Sequence, residues 1–98
     1  MNNEEEIELV RGSDNIFRDL GEPNADILYL KAELATQIIG ALNKKNLKGK
    51  EAAETVNMSE PDISRIRHAD LKRFTIDRLM EVVSRLGLQV EINVTKAA

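Results

Sequence analysis

The chain has 98 residues, 17 acidic and 14 basic, for a formal net charge of −3. That length suits one domain, and 42% apolar residues suffice for one modest core. Aromatics are limited to Phe17, Tyr29 and Phe74, so the core must be built from aliphatic side chains, which favours packed helices. Cysteine is absent, which excludes a disulfide framework, a thiolate nucleophile and a cysteine-based zinc site. No apolar run approaches the roughly 18 residues needed to span a membrane. The acidic N-terminus also lacks the basic-then-apolar layout of a signal peptide, so a soluble cytoplasmic domain is expected. Bulk acidity by itself argues against nucleic acid.

The charge is unevenly spread. Residues 1–33 balance at −6, residues 34–74 at +3, and the remainder is neutral. A basic middle behind an acidic head is the pattern of a chain with distinct partner-facing surfaces.

Residues 1–23 read as an acidic N-terminal arm. Within it Glu6–Val10 alternates briefly like a strand, Gly12-Ser13-Asp14 breaks the pattern, and Asn15–Leu20 suits a single helical turn before Gly21-Glu22-Pro23. Residues 24–87 read as helical. Asn24 is placed to cap a long helix with Asp26 in its first turn. Ile27, Leu30, Leu34, Ile38 and Leu42 recur at helical spacing, and Lys44 and Lys45 close the helix favourably for its dipole. Lys48–Thr55 predicts a short second helix with a small-residue face at Ala52 and Ala53. Ser59-Glu60-Pro61-Asp62 is a helix start, with Ser59 as cap, Pro61 in the first turn and Asp62 at the capping-box position. This third helix turns Ile63 and Ile66 inward and runs to about His68. Thr75 caps a fourth helix with the stripe Ile76, Leu79, Met80, Val83 and Leu86, and Gly87 ends it.

Residues 88–98 hold the clearest strand, where Leu88, Val90, Ile92 and Val94 alternate with polar residues. A lone strand leaves its backbone groups unpaired. It must therefore pair with Glu6–Val10, with its own copy in a second subunit, or with another protein. A homodimer with Leu88, Val90, Ile92 and Val94 at its interface is the preferred expectation, because two-fold pairing is the commonest oligomeric solution.

The segment from Gly49 to Arg67 carries the most information. Two short helices cross at a steep angle only if their contact residue is small and the turn residue tolerates a left-handed backbone; Ala53 and Asn57 meet these needs. Counting from Gly49, the small residue is fifth and the turn residue ninth. Apolar residues Ala52, Val56, Met58, Ile63 and Ile66 stand fourth, eighth, tenth, fifteenth and eighteenth. This pattern resembles the helix-turn-helix of the lambda-repressor-like, or XRE, family. Several further stretches are similar to its HigA-type antitoxin branch: Ser13–Gly21, Glu51-Ala52-Ala53, Ser59–Ile66, Asp70–Leu79 and Leu86–Ile92. The likeness covers nearly the whole chain.

The resemblance implies a mainly α, lambda-repressor-like bundle of about five helices, with the C-terminal strand pairing in a dimer. It also implies a DNA-binding regulator that recognises a double-stranded operator and, in most relatives, holds a RelE-like toxin protein inactive. In such a fold the third helix enters the major groove, and two copies on a dimer sit about 34 Å apart. Its outward residues are Ser59, Glu60, Asp62, Ser64 and Arg65. Arg65 suits bidentate contact to guanine, Glu60 suits cytosine N4, and the two serines suit base or phosphate. Lys48, Lys50, Lys72 and Arg73 flank the motif as phosphate contacts. Two residues depart from the family pattern. Gly49 stands where glutamine commonly anchors phosphate, and Glu60 stands where glutamine commonly reads adenine.

Plainer readings accompany these. Arg65 also has Asp62 three residues back as a partner on the same helix. Lys44, Lys45, Lys48 and Lys50 also make an ordinary solvated helix end. His68 reads as an exposed helix-end residue without companions for a metal site. Met58 and Met80 read as gap-filling core, and Arg67 as decoration on the far end of the third helix. No phosphate loop, nucleophile elbow or zinc pattern is present, so neither catalysis nor a cofactor is expected. The rival to an operator-binding protein is a protein-interaction module, a toxin neutraliser that keeps the fold and has lost specific DNA binding.

Overall fold

The computed structural model describes residues 20–96 and the backbone of Glu6–Glu8. The element order is β1 (Glu6–Glu8), α1 (Ala25–Lys44), α2 (Gly49–Val56), α3 (Glu60–Arg67), α4 (Ile76–Arg85) and β2 (Gln89–Glu91). The described residues thus contain four helices where about five were expected. The extra turn anticipated over Asn15–Leu20 falls, apart from Leu20, outside them.

Helix α1 is the backbone of the bundle. It packs chiefly on α4 and also on α3, while α2 packs on α3 and α4. Leu34, Ile38 and Leu42 are fully buried one turn apart, as the periodicity predicts, but Ile27 is 48% exposed. The stripe is continuous in sequence, yet the fully buried part of α1 begins only at Leu34, so the first two turns carry apolar residues beyond the sealed core. Asn24 occupies the N-cap position without a capping side-chain bond. On α4 the core face is Leu79, Val82, Val83 and Leu86, with Ile76 and Met80 only partly buried. Phe74, on the loop between α3 and α4, is buried with them.

All four helices end in the same way. Asn46, Asn57, Ala69 and Gly87 each adopt a left-handed backbone just past the helix. In each case the next residue's N–H reaches back to the carbonyl five residues earlier: Leu47 to Leu42, Met58 to Ala53, Asp70 to Arg65 and Leu88 to Val83. This closure satisfies carbonyls that a helix end otherwise leaves open. Asn and Gly are the residues expected there; Ala69 is the exception, because its Cβ crowds the backbone in that conformation.

Strands β1 and β2 form a two-stranded parallel sheet, with Glu6, Ile7 and Glu8 opposite Gln89, Val90 and Glu91. Of the partners possible for the last strand, the one found is therefore the N-terminal segment of the same chain. The strand is also shorter than its alternating sequence. Leu88 and Val90 pack against the helical core, whereas Ile92 and Val94 are 52% and 93% exposed. The four residues expected together at a dimer interface thus divide into two that serve the chain's own core and two that face outward. Among the described residues, no strand pairs with the outer edge of β2.

Candidate nucleic-acid interface

The interface is built on α2, its turn and α3. Ala53 is 8% exposed at the corner, small enough for the helices to meet, and Ala52, Val56, Met58, Ile63 and Ile66 seal the apolar side. Asn57 turns the chain at φ 55° and ψ 54°. Ser59 then caps α3, its Oγ accepting from the Asp62 N–H at 3.2 Å, and Pro61 fits the first turn. The side chain of Asp62 does not complete the expected capping box. It faces Arg65 instead, with Oδ1 2.6 Å from the guanidinium Nη1, and stands 3.7 Å from Arg73 Nε. An i,i+3 pair of this kind contributes only about 0.2–0.5 kcal/mol to stability.

Ser59, Glu60 and Ser64 are exposed on α3, as are Lys48 and Lys50 at the start of α2 and Lys72 and Arg73 on the loop after α3. Asp62 and Arg65 are half-buried, and the Asp62 carboxylate stands beside two cations. An open concavity of about 490 Å³ lies between the helices, bordered by Lys50, Asn57, Ser59, Glu60, Asp62 and Arg78.

The two departures from the family pattern meet in space. Gly49 has φ +49°, and a Cβ there would stand 3.3 Å from Glu60 Oε1. Glu60 therefore folds back toward the first turn of α2, where an anion is favourably placed against the helix dipole. A side chain at position 49 is disfavoured by the backbone and crowded by that carboxylate. Sequence alone shows two unrelated substitutions; the fold makes them neighbours.

Two arginines that support the interface escaped sequence reasoning. Arg67, expected to be decoration, donates from Nη1 to Asn43 Oδ1 at 3.0 Å and from Nη2 to the Leu47 carbonyl at 3.2 Å. It ties the end of α3 to the end of α1. Arg78 donates to the Asn57 carbonyl at the elbow and pairs with Glu81 on its own helix. One signal for Arg78 was available: a cation in the first turn of a helix opposes the dipole, so its retention there implies a partner elsewhere. His68 is exposed, with Nδ1 2.7 Å from the Ser64 carbonyl, so that nitrogen carries the proton.

A family model described as a helix-turn-helix domain matches residues 16–95. The chain belongs to the helix-turn-helix domain family. That match runs through all four helices and β2. Membership points to DNA as the partner and to a DNA-binding regulator. No curated protein and no solved structure matches the chain. No helix among the described residues is long and apolar enough to cross a membrane.

Proposed function

We propose that this helix-turn-helix protein is a non-catalytic, cytoplasmic, operator-binding transcriptional regulator of the lambda-repressor-like, or XRE, type. It acts as a HigA-like antitoxin that represses its own gene and neutralises a RelE-like toxin. The observation that carries the DNA-binding part is the α2–turn–α3 unit itself. Its left-handed elbow at Asn57 and capped α3 expose Ser59, Glu60 and Ser64 beside Arg65. In this reading Arg65 contacts a base, and Lys48, Lys50, Lys72 and Arg73 take phosphates. The protein works as a homodimer whose copies meet along the outer edge of β2, with Ile92 and Val94 covered by the partner. Support for that contact comes from an edge of β2 that no described residue pairs with, and from two apolar side chains exposed directly after it.

A gel-shift titration against the DNA upstream of the protein's own gene tests the reading. Preference over random duplex, with affinity falling steeply as salt rises, is expected. Equal affinity for both, or no salt dependence, contradicts it.

A second reading has its own observation. Asp62 pairs with Arg65 and approaches Arg73, and Glu60 folds toward α2, so carboxylates sit among the residues meant for DNA. That electrostatics also suits a protein-binding module that neutralises a toxin without binding an operator. Co-expression with the neighbouring reading frame separates the two: growth rescue without operator binding favours the module.

A further inference from the structure

We propose that Asp62 is a specificity-determining positioning residue. It holds Arg65 in the pose that reads a base, and its charge lowers affinity for DNA of any sequence. This inference rests on the DNA-binding reading above.

The geometry has three parts. The Asp62 backbone is fixed at the third position of α3 by the Ser59 hydroxyl, 3.2 Å from its N–H. Its Oδ1 takes Nη1 of Arg65 at 2.6 Å, one turn along the same helix. The same oxygen stands 3.7 Å from Nε of Arg73, on the loop that follows. One carboxylate oxygen thus orders an arginine of the recognition helix and draws in an arginine of the flank.

The chemical consequence follows from the donor inventory. A guanidinium has five N–H groups, and Asp62 engages it through a single nitrogen, leaving donors for a bidentate contact to guanine O6 and N7. A long side chain restrained before binding loses less freedom on binding, so the correct base is recognised at lower entropic cost. The carboxylate also carries a negative charge toward the phosphates and keeps Arg65 and Arg73 from pairing freely with them. That penalty applies to all DNA and lowers affinity without changing preference, whereas the gain from an aimed Arg65 exists only at the right base. Specificity, the difference in affinity between two sequences, comes from that gain alone.

The test uses the full chain and two duplexes: one enriched by the wild-type protein from a random-sequence pool, and a scrambled one of equal length. For Asp62→Asn, affinity for the scrambled duplex should rise roughly threefold, as expected for one lost repulsive charge. The selected-to-scrambled ratio should fall about twofold, in the direction in which Arg65→Ala lowers it further. In the Arg65→Ala background Asp62→Asn should no longer change the ratio, and with Arg65 present Asp62→Glu should keep part of what Asp62→Asn loses. A merely structural role would lower both affinities together along with the melting temperature, and that outcome overturns the proposal. So does a ratio that Asp62→Asn leaves unchanged while Arg65→Ala abolishes it. If the wild-type chain enriches no duplex at all, the DNA-binding reading itself fails, and the positioning role with it.

Discussion

The guanidinium of Arg78, in the first turn of α4, donates to the backbone carbonyl of Asn57, the left-handed residue at the elbow between α2 and α3. The helix that leads into β2 is thereby fastened to the turn that aims α3. Arg78→Ala should cost about 1–2 kcal/mol, the lower part of the range for a charged donor to a carbonyl, because the contact is exposed. Arg78→Lys should recover only part, because the elbow contact and the Glu81 pair use separate arms of one planar group. Urea denaturation of both variants measures this; equal stability of Arg78→Ala and wild type contradicts it.

Ala69 occupies a left-handed position at φ 58° that costs an alanine about 1 kcal/mol. Ala69→Gly should therefore raise stability by about 0.5–1 kcal/mol, against the usual penalty for introducing glycine. Asn57→Val is the converse, losing about 1–2 kcal/mol by forcing a β-branched residue into the same region. Thermal unfolding of the pair gives shifts of opposite sign.

Introducing at the start of α2 the glutamine that the lambda-repressor-like resemblance implies should not add a function. Gly49→Gln places a side chain at φ +49° beside Glu60 and should destabilise by about 1 kcal/mol. A melting temperature at or above wild type would show that the turn relaxes.

The proposed dimer is tested on residues that the fold itself does not need. Ile92→Asp with Val94→Asp should leave the unfolding midpoint within about 0.5 kcal/mol, since both side chains are exposed in the single chain. Sedimentation should then report monomers. Val90 is unsuited to this purpose, because it packs on the helical core. A dimer that survives both changes places the interface elsewhere.

How much of this was legible in the sequence depends on the range of the interaction. The elbow was readable because its requirements are local: Ala53 at the corner, Asn57 in the turn, Ser59 and Thr75 as caps and Gly87 as terminator all act within a few residues. The left-handed Ala69 was not readable, since alanine gives no sign of that conformation. Arg67 and Arg78 bond to residues about 20 positions away, and periodicity carries no information about such pairs. Alternation over Leu88–Thr95 announced a strand but not its partner, because a period of two specifies which side chains share a face and leaves the pairing open. The role of Asp62 was half legible: its spacing suited both a cap and Arg65, and only the fold shows the carboxylate shared with Arg73.

Operator binding is probed most directly by titrating wild type and Arg65→Ala against the upstream DNA and against random duplex across a series of salt concentrations. Wild type should prefer the upstream DNA, with log affinity falling linearly in log salt. Arg65→Ala should lose about 10- to 100-fold of that preference and keep the salt slope, whereas Lys48→Ala or Lys72→Ala should weaken both duplexes alike and reduce the slope by about one. Indistinguishable wild-type binding to the two duplexes at every salt concentration would contradict a sequence-reading role for α3.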